Sequence, residues 1–168
     1  MAVAHGGRPG DRAGAYATSS VAQMAALAFG VVFLLVGIAG FIPGITTDYD
    51  ELTWTGTDSQ AELFGLFQVS VLHNAVHLLF GVLGIWAARA WDLARAYLLA
   101  SGVVYIALFV FGMVIDRDTD TNFIPVNAAD DWLHLGLGVS LLLLGLAAGT
   151  LVDRERDRDH RARPTREA

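Results

Sequence analysis

The chain contains no cysteine, which removes disulfides and thiolate-bound metals and leaves the redox compartment unread. It contains no lysine either, since all eleven basic residues are arginine. Proline is scarce, with four in 168 residues, and charged residues are 17% of the chain, against about a quarter in an ordinary soluble domain. Also missing are a nucleophile–base pair, a phosphate-cradling glycine loop and the basic–aromatic interleaving of nucleic-acid binders. Covalent catalysis, nucleotide chemistry and a nucleic-acid partner are therefore without support. What the chain has instead is apolar sequence: 54% of residues are hydrophobic and the mean hydropathy is +0.49.

The apolar residues fall into four runs, at 21–41, 64–88, 97–115 and 131–152. About twenty apolar residues at roughly 1.5 Å each cover a bilayer core. The expected fold class is therefore all-α, a four-helix transmembrane bundle. Residues 1–20 read as a flexible tail and 153–168 as a charged one, with a single four-span membrane domain at 21–152. Gly37 and Ala39 would pass as a signal-peptide cleavage site. The length of the first run and the three runs after it favour a retained helix.

Orientation follows from arginine near the span ends. Ten arginines lie in the two tails and the short turn at Arg89–Arg95, and only Arg117 lies in the two longer loops. Both termini are expected in the cytoplasm, with the acidic loops outside.

The run 64–88 carries His73, Asn74 and His77 near its centre. On a helical wheel Leu66, Ser70, His73, Asn74, His77, Gly81, Gly84 and Ala88 share one arc, opposite Val71, Leu72, Val76, Leu79, Val82, Leu83 and Trp86. Small and polar residues suit helix–helix contact in lipid, so this face is expected to turn inward. Ionisable groups within a span are functional candidates by default. His73 and His77 are one turn apart, a spacing that suits a transition metal. Counted from the cytoplasmic ends, His73 lies about 24 Å up its helix, His134 about 28 Å and His77 about 18 Å. His73 and His134 are thus level if their helices touch, and Asn74 or Asp131 is placed to orient a ring.

Three readings of His73, His77 and His134 follow: a hydrogen-bond network between helices, a metal or bis-histidine haem site, or a proton or solute path. Haem or a transition metal is the one cofactor class these residues allow. No catalytic residue stands out. The reading carried forward is a non-enzymatic structural or accessory membrane protein. Its expected partners are the lipid bilayer and either further copies of itself or a larger membrane complex.

Other patterns are weaker. Ser101, Tyr105 and Gly112 share a face of the third span, and Asp131, His134, Gly138, Gly145 and Gly149 a face of the fourth. Asp116, Asp118 and Asp120 imitate the opening of a calcium loop, but Thr121 and Asn127 replace its glycine and its bidentate acid. His77-Leu-Leu-Phe-Gly-Val resembles His134-Leu-Gly-Leu-Gly-Val, and Asn74 and Asp131 precede the two histidines by the same interval. Two hairpins descended from one would explain this.

The segments Phe41-Ile-Pro-Gly-Ile-Thr-Thr47, Phe67-Gln-Val-Ser-Val-Leu-His-Asn-Ala-Val-His-Leu78, Phe123-Ile-Pro-Val-Asn127 and Asp131-Trp-Leu-His-Leu-Gly-Leu-Gly138 resemble the family called domain of unknown function 4383. The resemblance spans about 21 to 152. It implies a four-span protein of a bacterial inner (cytoplasmic) membrane and supplies no reaction.

Overall fold

The computed structural model describes residues 9–117, 119 and 121–162, with side chains described for 21–117, 119 and 121–151. Four helices dominate: α1 (Pro9–Ala39), α2 (Val71–Ala87), α3 (Trp91–Val114) and α4 (Ala128–Ala162). Three of them hold stretches long and apolar enough to cross a membrane, namely Val21–Ala39, Trp91–Val114 and Ala128–Leu151. The helices bury small and polar residues and expose large apolar ones. Leu35, Leu79, Val82, Val103 and Leu143 are each more than half exposed, whereas His73, Asn74, Ser101, Gly81 and Gly84 are buried. That inversion suits a lipid surrounding, and α2 turns inward the arc expected of it.

Two element boundaries differ most from the sequence reading. In addition, α3 starts at Trp91, so Asp92 and Arg95 of the expected turn are helical, and α4 runs on to Ala162 through residues expected to be a charged tail. The run 64–88 is not one helix. Its first residues supply the last strand of a three-stranded antiparallel sheet, β1 (Thr46–Thr47), β2 (Glu62–Leu63) and β3 (Phe67–Gln68), in the order β1-β2-β3. Phe64 and Gly65 both adopt left-handed backbone, with φ of 56° and 64°, the geometry of a tight hairpin turn for which glycine is suited. Short apolar runs satisfy strand and helix alike, so hydropathy hid the sheet. Leu66 consequently leaves the helical arc, and Ser70 becomes the N-cap of α2, its Oγ accepting from His73 N at 3.1 Å. The second difference is α1, which begins at Pro9, inside the stretch expected to be a flexible tail. Proline is at home in a first helical turn, and alanine at 13, 15 and 17 favours helix. Residues 1–8 and 163–168 of the two expected tails lie outside the described residues.

At 17 residues, α2 spans only about 26 Å, short of a full crossing. The sheet and loops cap its end. Val71 N donates to Thr53 O and Leu72 N to Trp54 O, each at 3.0 Å, so loop carbonyls satisfy the first amides of the helix. Ala61, Leu63 and Val69 are buried in the cap against Val36, Ala39 and Phe67. The cap is latched to the second loop by Gly56 N donating to Phe123 O (3.0 Å) and Asn127 Nδ2 donating to Leu66 O (2.8 Å).

α1 packs chiefly on α2 and α3 chiefly on α4, and the two pairs repeat each other's contacts. Gln23 Nε2 donates to Ala88 O at 2.9 Å, and Arg95 Nε to Gly145 O at 3.1 Å. Gly81 lies against Leu34, and Gly138 against Ile106. Phe33 contacts the His77 ring, and Tyr105 the His134 ring. Each α3 residue lies 72 positions after its α1 counterpart, and each α4 residue 57 after its α2 counterpart (Phe33 to Tyr105, His77 to His134). A constant offset across independent contacts is the mark of a duplicated helical hairpin.

The copies have diverged at one contact in an instructive way. Asn74 Nδ2 donates to Gly40 O at 2.9 Å. The equivalent pair is Asp131 and Gly112, and an ionised aspartate has no hydrogen to give. Arg117 supplies it, Nη2 bonding both the Asp131 carboxylate and Gly112 O (3.2 Å to the latter). Glycine is required at both positions, because a Cβ on Gly40 would fall 2.1 Å from Asn74 Oδ1 and one on Gly112 1.7 Å from Asp131 Oδ1.

Arg117→Ala leaves the buried Asp131 unpaired and is expected to cost about 2 kcal/mol, moderated by the partial exposure of the guanidinium. In an Asp131→Asn background the amide donates to Gly112 O directly, so Arg117→Ala should cost little. A double-mutant cycle by thermal unfolding in detergent measures this, and additive costs would refute it. Gly112→Ala is expected to lower the unfolding temperature clearly. Gly136→Ala should leave it unchanged or raise it, since nothing lies within 4 Å of a Cβ there.

Candidate functional site

Beneath the cap, α2 and α4 each deliver polar residues to the bundle centre. At the start of α4, Asn127 and Asp130 form a reciprocal cap. Asn127 Oδ1 accepts from Asp130 N (3.0 Å), and Asp130 Oδ2 accepts from Asn127 N (2.9 Å) and from Gln68 N of β3 (3.1 Å). This fixes the helix start against the sheet and sets His134 one turn below. On α2 the Ser70 cap does the same for His73 and His77.

The structure brings the three histidines together. The His73 and His77 rings stack with centroids 4.7 Å apart and planes 18° apart, and the His134 centroid is 6.2 Å from that of His73. Tyr105 packs on His134 at 5.5 Å, and Phe33 on His77 at 6.0 Å. Phe33 and Tyr105, the equivalents from the two copies, stack on each other at 5.3 Å, and Phe80 closes the group edge-on to both. An aromatic plug thus seals the site from the end of the bundle opposite the cap. The sequence puts Tyr105 on one face with Ser101 and Gly112 and gives Phe33 and Phe80 no role. The available signal for Phe33 was its helical spacing from Gly30, Gly37 and Gly40.

Asn74 and Asp131 do not orient a ring, contrary to expectation. Asn74 is taken by the Gly40 carbonyl, and Asp131 by Arg117. Each lies at the contact within its own hairpin, Asn74 against Gly40 and Asp131 against Gly112, and not on the side where the rings gather. His77 Nδ1 lies 3.1 Å from His73 O. Imidazole lone pairs lie in the ring plane, so stacked rings direct them side by side instead of to a shared point. Among the described residues no group of three His, Asp or Glu side chains is set to hold a metal ion. His73, His77 and His134 are neighbours in the fold without forming such a group. In the calcium-like loop, Asp118 and Asp120 lie outside the described residues.

Two pockets flank the histidines and share them. One, of about 80 Å³, lies between α2 and α3 and is otherwise lined by Ser70, Leu72, Val76, Phe80, Val104, Tyr105, Leu108 and Ile124. The other, of about 70 Å³, lies between α4 and α1, with Val36, Asp130, Leu133 and Leu137 among its walls. Those four are the duplicated counterparts of Leu108, His73, Val76 and Phe80, so the pockets are copies of one site. In the second copy a carboxylate stands where the first has an imidazole. The first pocket reaches the apolar exterior at Val76 and Val104, both 40% exposed. His73 Nδ1 and His134 Nδ1 are buried without a hydrogen-bond partner. Orphaned buried polar atoms are rare enough to require an explanation. Here the atoms stand beside a cavity able to admit a partner.

Neither the curated proteins nor the solved structures contain a match to this chain. One family model does match, that of "Domain of unknown function (DUF4383)", over residues 23–147, a stretch running from α1 into α4 and including every histidine of the site. The chain belongs to the DUF4383 family.

Proposed function

We propose that this is a four-pass protein of a bacterial cytoplasmic membrane, with both termini inside, and that it is a non-enzymatic binding protein. Its histidine-headed cavity takes in a small molecule dissolved in the bilayer. The orphaned nitrogens of His73 and His134 at the edge of an apolar cavity carry this reading. Asn74 Oδ1, Asp131 Oδ1 and Trp91 Nε1 are orphaned as well, but only the histidine nitrogens belong to residues that line that cavity. Binding without turnover suits an accessory component of a larger membrane complex or a homo-oligomer. The orientation rests on the arginine bias, ten against one.

Extraction of the detergent-purified protein followed by mass spectrometry tests the cavity. The wild type should retain a lipophile that Leu108→Trp, which fills the pocket and leaves the histidines unsubstituted, reduces by about tenfold or more. Equal retention by the two proteins would sink the reading. The cysteine-free chain also makes topology simple to measure. In intact cells Asp58→Cys should react with an impermeant maleimide, and Ala90→Cys should react only after permeabilisation. Labelling of both from one side would rule out the four-pass arrangement.

A further inference from the structure

The cavity dictates which kind of head group it accepts, an inference that rests on the binding role proposed above. His77 Nδ1 faces the backbone oxygen of His73 at 3.1 Å. A carbonyl can only accept, so Nδ1 carries the hydrogen. In a neutral ring the other nitrogen, Nε2, is then a bare lone pair on the opposite corner. An isolated charge is costly at this depth, and the nearby carboxylates are engaged elsewhere, Asp130 with two backbone amides and Asp131 with Arg117. Among the described residues no donor bonds His77 Nε2, and its ring neighbours are His73 and Phe33. The site thus presents a fixed acceptor, with His73 Nδ1 and His134 Nδ1 orphaned beside it.

What satisfies a lone pair is a donor. The walls are apolar, which disfavours an ammonium head. A ketone, ester or ether oxygen brings only acceptors. A hydroxyl remains. Size narrows the class further: about 80 Å³ is roughly half of the 150 Å³ cavity that admits benzene. A slender chain end fits where an aromatic ring does not. We infer that the α2–α3 cavity binds the hydroxyl end of a primary alcohol with an unbranched apolar chain. The hydroxyl donates to His77 Nε2, and the chain leaves between Val76 and Val104 into the surrounding apolar phase.

Three probes of one shape separate the possibilities: 1-decanol, its methyl ether 1-methoxydecane, and decane. With histidines labelled by ¹⁵N in the full-length protein in detergent, the free protein should show His77 protonated at Nδ1 and bare at Nε2. Decanol should shift the Nε2 resonance, and the ether and alkane should not. His77→Leu should weaken decanol binding about tenfold, the effect of one lost hydrogen bond, and leave the ether unchanged. His77→Gln, which keeps both a donor and an acceptor, should retain decanol binding within about threefold and guards against a variant that merely misfolds. A proton on Nε2 overturns the hydroxyl assignment. Equal binding of all three probes also overturns it while leaving the cavity's binding role standing. If no probe binds and no signal from the cavity moves, both fall together.

Discussion

Hydrocarbon offers a buried polar group no partner, so a donor or acceptor inside the bundle that finds none within the protein is costly. This constraint separates the polar side chains of the chain into two kinds. Gln23, Asn74, Arg95 and Tyr97 each donate to a backbone carbonyl of a neighbouring helix. They hold the helices in register, where apolar packing against lipid gives little preference for one partner over another. The histidines behave differently. They gather on one another and on aromatic rings. Although Asn74 Oδ1, Asp131 Oδ1 and Trp91 Nε1 are also unpartnered, only the two histidine nitrogens belong to residues lining the α2–α3 cavity. A group that is costly to leave unsatisfied, yet is left so next to empty volume, is the strongest functional signal in the molecule.

Duplication explains how the site arose where it did. A hairpin that paired with its own copy would place the two versions of each residue on either side of the junction. Phe33 and Tyr105 meet in that way, each carrying the histidine contact of its own half. The copies keep the glycine contacts that let the helices approach and differ in their polar chemistry. An amide bonding a glycine carbonyl in the first half becomes an aspartate with a borrowed guanidinium in the second. An imidazole in one pocket becomes a carboxylate in the other. Two pockets that began alike therefore present different heads, all-imidazole between α2 and α3 and mixed between α4 and α1.

The cap serves both packing and function. A second helix of 17 residues is too short to reach the surface that its neighbours reach, and the small sheet fills the remaining depth. Because β3 bonds to Asp130 and the loop carbonyls bond to the first turn of α2, the cap fixes the ends of both histidine-bearing helices. The opposite end of the site is closed by Phe33, Phe80 and Tyr105. Closed above and below, the histidines remain open sideways, which is the direction from which a membrane-dissolved molecule would arrive.

Hydropathy and the 3.6-residue period are local properties, so the helical class, the inward face of α2 and the level at which His73 and His134 meet were readable along the chain. The duplication was readable too, faintly, in Asn74–His77 and Asp131–His134. That 64–70 would form sheet and cap was settled by the fold, since a short apolar run fits strand or helix equally and the sheet closes through β1, some twenty residues away. Only the fold likewise assigned Asn74 to Gly40 and Asp131 to Arg117, stacked the imidazoles instead of converging them, and left a cavity at their edge. Which of two neighbouring atoms finds a partner depends on the packing of whole helices, and no periodicity in the chain records it.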